Sequence, residues 1–235
     1  MKTQSQWDSN VEWYEKNMGE EGDNLNRNII RPLVLKMLGK LEGKTVLDAG
    51  CGSGYLTSEL SKTAKKVVGA DFSSKFIDLC KKKYSNITNL SFIEYDVTQK
   101  SSFEDESFNI ILSKMVLQYV PQIETFANEV VRILKKEGQL LVIVDHPFNT
   151  QFYFAQQTAG KTNAKYPNLK DYFSKEEQHK LSLWGKAELT WYPKTIADYT
   201  MPFVEAGLIL KDIQELPEEK EGIRIPRILS LLFKK

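Results

Sequence analysis

The stretch VLDAGCGSGY places an acid, Asp48, two residues before Gly50, with Gly52 and Gly54 following at every second position. Glycines at that spacing let a backbone turn sharply and approach a ligand with no side chain in the way. Backbone N–H groups at the start of a following helix can meet an anionic group. Asp48 has two available uses: holding a ligand ammonium, directly or through water, or fixing the turn by accepting backbone N–H bonds. A dinucleotide site needs GxGxxG/A. Here the third glycine comes one residue early, and Tyr55 stands where Gly or Ala is required, which opposes a nucleotide-dependent oxidoreductase. A second acid, Asp71, ends the next apolar run, about 20 residues on, where a carboxylate accepts hydrogen bonds from both ribose hydroxyls of an adenosine. Phe72 beside it either stacks on adenine or packs as a core aromatic. His146, after VIVD, is the candidate general base, because imidazole titrates near neutral pH. Its alternative is to cap the strand end. Asp145 is adjacent, but neighbouring strand residues point to opposite faces.

These residues must be positioned by elements whose order is legible. Continuous apolar runs mark strands buried on both faces at Thr45–Ala49, Lys66–Asp71, Leu90–Tyr95, Phe108–Ser113 and Gly138–Asp145. Helical patterns separate them at Tyr55–Thr63, Ser74–Tyr84 and Ile123–Leu134, preceded by a helix over Arg27–Leu41 and a short amphipathic helix or arm over Trp7–Met18. The alternation predicts an α/β, doubly wound, Rossmann-like and mostly parallel seven-stranded sheet. Val204–Leu216 and Ile223–Phe233 are two further strand-like stretches, expected to form a hairpin around PEEKEG that supplies an antiparallel last strand. Three segments follow from this reading. Residues 1–146 form N-terminal helices and the cofactor-binding core. Residues 147–192 form a lid inserted after strand 5. Residues 193–235 form a C-terminal helix and β-hairpin completing the sheet.

VLDAGCGSGYLT resembles motif I of the class I S-adenosylmethionine-dependent methyltransferases, an acid followed by GxGxG, and the likeness is good over about residues 27 to 145. It implies S-adenosylmethionine as cofactor and S-adenosylhomocysteine as product, with Asp48, Gly50, Cys51, Gly52, Gly54, Asp71 and Phe72 at the cofactor. FIEYDVTQ matches the segment in which an acid faces the adenine amino group, implying roles for Asp96 and the Val97 backbone; a turn role for Asp96 is the alternative. FNIILSKMVLQYV matches the strand end that passes the methionine moiety, implying Ser113 at the cofactor and Lys114 and Gln118 toward the acceptor. It lacks the [DNS]PPY signature of enzymes acting on nucleobase or glutamine amino nitrogens. Tyr14 and Arg31 are of types that relatives place at the cofactor's carboxylate or at the pocket mouth, against the alternatives of a core tyrosine and a surface arginine.

The sequence has 235 residues, 41% hydrophobic and 27% charged, with formal net charge +1. No whole-chain field favours nucleic acid or an anionic membrane. Two cysteines without a CxxC pair fit a reduced, cytoplasmic compartment. MKTQSQWDSN has no apolar core of a secretory signal. No His/Asp/Glu cluster at ligand spacing suggests a metal. Residues 147–192 are dense in aromatics, Phe148, Phe152, Tyr153 and Phe154 among them. They resemble the lid of small-molecule members, with Phe148 and Tyr153 toward the acceptor. His179 falls in a charged, helix-like stretch. The expectation is a methyl transfer by in-line displacement to an O or N atom of a small, partly apolar molecule, without nucleic-acid or membrane partners. Action on RNA or protein, or a non-catalytic S-adenosylmethionine-binding module, are the alternatives.

Overall fold

The structure is a computed structural model that describes residues 2–149, 172–173, 178–181, 188–220 and 222–235. Tyr153 lies outside the described residues. Two short helices, α1 (Lys2–Asp8) and α2 (Val11–Met18), open the chain. A π-helical turn, Asn26–Ile30, runs directly into α3 (Arg31–Leu38). The single helix expected over 27–41 is therefore a composite, with Pro32, which has no N–H to donate, at the junction.

The core alternates as β1 (Thr45–Ala49), α4 (Tyr55–Ser61), β2 (Lys66–Asp71), α5 (Ser74–Lys83), β3 (Leu90–Glu94), β4 (Phe108–Lys114), α6 (Glu124–Ile133) and β5 (Leu134–Asp145). A short 3₁₀ turn, Leu117–Tyr119, follows β4. Beyond lie β6 (Gln178–Leu181) and β7 (Glu188–Trp191), then α7 (Ile196–Glu205), β8 (Ile209–Lys220) and β9 (Ile223–Lys234). The main sheet has the order β3-β2-β1-β4-β5-β9-β8, and only β9 runs against its neighbours. The order reverses between β1 and β4, and in such sheets the crevice beyond the strand ends at that point is where ligands sit.

Alternate residues of each strand feed opposite layers. Leu47, Val68 and Ile111 face α6 and α7, meeting Phe126, Val130 and Phe203. Val46, Val67 and Ile110 face α3 and α4, meeting Val34, Leu38 and Leu60. Each such large side chain contributes about 1.5–3 kcal/mol by leaving water. Local signals fix the helix starts. Ser73 caps α5 by accepting the Phe76 N–H at 3.2 Å, and Thr195 with Asp198 forms a capping box on α7.

Three expectations shift. Val204–Glu205 ends α7 instead of beginning a strand, because Thr195 starts a helix whose Tyr199 and Phe203 share one buried face. The hairpin turn is tighter than PEEKEG: Pro217–Lys220 pair with Ile223–Pro226, and Pro217 sits at a register shift on the edge strand, where a missing N–H costs least. The SKEEQHK stretch is not helical where described: Gln178–Leu181 pairs antiparallel with Glu188–Trp191.

Candidate active site

β1 delivers Asp48 to the switch point, with Leu112 of β4 on one side and Gly69 of β2 on the other. The carboxyl group is buried. Its Oδ2 accepts from the Thr57 hydroxyl at 2.7 Å, while its Oδ1 has no hydrogen-bond partner among the described residues. Burial raises its pKa, opposed by Thr57 and by the field of Lys114. The glycine turn follows, with φ of +87° at Gly50, +53° at Gly52 and +73° at Gly54. A Cβ on Gly50 would stand 2.1 Å from Val116 Cγ2, so that position excludes any side chain. The turn's own N–H groups are largely used inside the chain. Gly50 and Cys51 donate to the Ala70 carbonyl at 2.7 and 3.0 Å, Gly52 to Asp71 at 2.9 Å, and Gly54 to Cys51 at 3.1 Å.

Asp71 ends β2, is buried, and accepts N–H bonds from Gly52 and from Ser73 at 3.0 Å. Burial pushes its pKa up to about 6, against those two N–H donors. Cys51 and Cys80 are both buried beneath the turn. Their thiols meet the Gly52 carbonyl at 3.9 and 3.2 Å, and burial, then the contact with Cys80, raises the Cys51 pKa. Phe72 is half-buried, and its carbonyl accepts from Gln4 Nε2 at 2.8 Å. Asp96 is half-buried and accepts both the N–H and the hydroxyl of Thr98 at 2.8 Å, which is its turn role; Val97 is buried.

The end of β4 carries two buried polar residues side by side. Ser113 is fully enclosed and its hydroxyl has no hydrogen-bond partner among the described residues. The Lys114 ammonium lies 5.1 Å from the centre of the Tyr55 ring and 3.4 Å from Asn26 Oδ1. Tyr55, the residue that opposes a dinucleotide site, donates its hydroxyl to the same Asn26 oxygen. Gln118 is buried, with Nε2 at 3.5 Å from Met115 Sδ and its carbonyl accepting the Tyr192 N–H at 2.9 Å.

Helices α1 and α2 lie over this edge of the sheet. The Tyr14 ring is 3.6 Å from where a Cβ of Gly52 would be. Enclosure pushes its phenol up to about 12, while Lys114 pulls the other way. Trp7 packs edge-on to Tyr14 (6.0 Å) and to Tyr119 (5.2 Å), and Tyr119 continues to Trp191 of β7 at 5.3 Å. Asp8 pairs with the Ser73 hydroxyl, Glu15 with Lys83, and Gln6 Oε1 accepts the Thr190 N–H at 3.2 Å. These contacts from Gln4, Gln6, Asp8 and Glu15 fasten the arm across the cleft. Reading the sequence alone missed Trp7, Asn26, Tyr119 and Trp191, because each joins the site only through packing between distant segments.

Two candidates stand apart. Arg31 faces Glu59 of α4 at 3.9 Å and has no described contact with the turn. His146 is buried, with Nδ1 accepting the Phe148 N–H at 3.1 Å and Nε2 at 2.6 Å from Glu215 on β8. An accepting Nδ1 fixes the proton on Nε2, so neither nitrogen is left to receive a proton from an acceptor. Burial lowers its pKa, against the opposing pull of Glu215. Phe148 is half-buried beside it.

Residues 47–142 match the family model of the methyltransferase domain. Over those residues the chain is similar to methyltransferase domains. The chain is 29% identical over 194 residues to a demethylmenaquinone methyltransferase of Staphylococcus aureus, a match covering 74% of this chain and 78% of the relative. It is 33% identical over 124 residues to a fatty-acid O-methyltransferase of Mycolicibacterium smegmatis, covering 52% and 44%. Its fold superimposes on an S-adenosylmethionine-dependent methyltransferase of Mesorhizobium loti with a TM-score of 0.71 at 18% identity, over 87% of this chain and 96% of that one. Relatives matched at 32–36% identity are spanned over only 22–52% of their own length. The donor set of the site fits the cofactor's chemistry: Asp48 Oδ1 and Ser113 Oγ are buried polar atoms with no hydrogen-bond partner among the described residues. Among the described residues no group of three His, Cys, Asp or Glu side chains could hold a metal, and no helix is long and apolar enough to cross a membrane.

Proposed function

We propose that this chain is an S-adenosylmethionine-dependent methyltransferase acting on an O or N atom of a small, partly apolar molecule. The observation that carries the proposal is the aromatic roof of Trp7, Tyr14, Tyr119 and Trp191 over the carboxyl edge of the sheet. It favours a compact acceptor with apolar surface over a polymer, which needs an open and usually basic groove. The relatives named for a quinone precursor and a fatty acid support the same class.

In this reading, bound S-adenosylmethionine supplies a methyl group on a sulfonium for in-line displacement by an acceptor lone pair. Asp71 accepts the ribose hydroxyls through the lone pairs that Gly52 and Ser73 leave open. Phe72, Asp96 and the Val97 backbone border the adenine. Asp48 receives the ammonium on its free Oδ1, with Gly50, Cys51, Gly52 and Gly54 shaping the floor and Tyr14 and Ser113 the walls. Gln118 and Phe148 border the acceptor. The protein's work is alignment and exclusion of water, and such positioning removes about 7–11 kcal/mol of barrier. His146 is not given the base's role, since both its nitrogens are engaged. The enclosed phenols stay protonated at neutral pH, so an acceptor that reacts without losing a proton to a histidine, such as a neutral amine or a carboxylate, suits the site.

The test is transfer of labelled methyl from S-adenosylmethionine to a panel holding a hydroquinone, a fatty acid and an ethanolamine derivative, alongside a cell extract. Label in a small, extractable product is expected. Label found only in material destroyed by nuclease or protease would overturn the proposal.

A further inference from the structure

Lys114 is only 6% exposed, yet no carboxylate among the described residues lies within ion-pair reach of its ammonium. Its neighbours are a neutral amide oxygen at the long distance of 3.4 Å and an aromatic face. A buried cation held so loosely is costly unless an anion arrives to pair with it. Asp48, 1% exposed, is the mirror case: a buried acid with one oxygen left without a hydrogen-bond partner among the described residues. The two are near enough for the field of Lys114 to act on Asp48, and too far apart to pair with each other. The usual anion receptor of such a turn is also closed, because the N–H groups of Gly50, Cys51, Gly52 and Gly54 already have acceptors within the chain.

We infer that Lys114 and Asp48 together form a receptor for an α-amino-acid zwitterion, with the Lys114 ammonium taking the carboxylate of the cofactor's methionine end and Asp48 its ammonium. This moves Lys114 from the acceptor side, where its place in the sequence put it, to the cofactor, and it rests on the S-adenosylmethionine reading above. Asn26 and the Tyr55 ring then serve to hold the ammonium in place. Asn26 accepts from both Tyr55 and Lys114, so the π-helical turn that carries it helps fix where the charge stands.

The experiment is calorimetric binding of S-adenosylmethionine and of its decarboxylated form, which lacks only the carboxylate, to wild type, Lys114→Met and Asp48→Asn. Wild type is expected to prefer the intact cofactor by about 10- to 100-fold, the range of a charge-assisted hydrogen bond. Lys114→Met should lose that preference while binding the decarboxylated form as wild type does. Asp48→Asn should bind both more weakly and keep the preference. The ligand-free Lys114→Met protein should melt no lower than wild type, since it removes an uncompensated buried charge. If Lys114→Met keeps the preference, or weakens both ligands equally, Lys114 does not read the carboxylate and the inference is wrong. If wild type binds neither ligand, the cofactor reading itself falls and takes the inference with it.

Discussion

Around Arg132 on α6 the charges are saturated. Its guanidinium donates to both oxygens of Glu129, at 3.0 and 2.5 Å, to Asp105 at 2.6 Å and to the Phe103 carbonyl at 2.8 Å. Glu129 also takes the Ser101 N–H at 2.9 Å; burial works against its charged form, and these partners still hold its pKa below the ordinary carboxylate range. Around Lys114 and Asp48, at the end of β4 and β1, the accounts stay open among the described residues: an ammonium without an acid in ion-pair reach, and an acid with an idle oxygen. Both clusters sit in the same fold and draw on the same residue types. A saturated network has nothing left to offer a ligand and acts on stability. An unsaturated one weakens the free protein and reserves its interactions for what binds.

That contrast can be broken by experiment. The largest effect is expected at Arg132→Met, which leaves Glu129 buried without its counter-charge and should lower stability by about 3 kcal/mol, measured by denaturant unfolding. Cofactor affinity should be unchanged, and a loss of affinity would erase the distinction between the clusters. Asp48→Asn should do the reverse: stability equal or higher, with cofactor affinity down by about tenfold or more. Asp71 supplies a pH test. Its folded pKa of about 6 lies above the unfolded value of about 3.9. The folded state therefore holds that proton more tightly, and stability falls as pH rises through the interval between those values. Cofactor affinity should run the other way, rising as Asp71 ionises, and both slopes should vanish in Asp71→Asn. A flat difference between wild type and Asp71→Asn across that interval would count against the raised pKa. The smallest effect is expected at His146→Gln, with turnover within about threefold and stability lower by about 1 kcal/mol. A collapse of turnover with a lost acidic limb would restore histidine as the base.

Much of the fold was legible because the parallel strands are buried on both faces and read as unbroken apolar runs. Thr45–Ala49 and Lys66–Asp71 match their predicted ends, and the glycine turn announces itself by spacing. The boundary near Val204 was not legible, since an apolar helix end followed by an edge strand looks like one strand. The site was legible where function rests on residue type in a local motif, as at Asp48 and Asp71. It was opaque where function rests on pairing. His146 looks like a free imidazole until strand register brings Glu215 to it from 69 residues away. Lys114 looks like any strand-end lysine until the absence of a counter-charge among the described residues is visible in three dimensions. The arm was foreseen as an amphipathic helix, but nothing local states that Tyr14 lies over Gly52.

The position of β9 has a consequence for how the chain reaches this state. β8 precedes β9 in the chain but pairs with nothing in the sheet except β9, and β9 alone joins it to β5. During synthesis, β8 therefore emerges before it has any strand to pair with, and β5 keeps an open edge until β9 pairs with it. The sheet is complete only once β9 is paired with both β5 and β8. Biogenesis of this domain thus depends on keeping the apolar side chains of β5 from pairing with another chain during that interval.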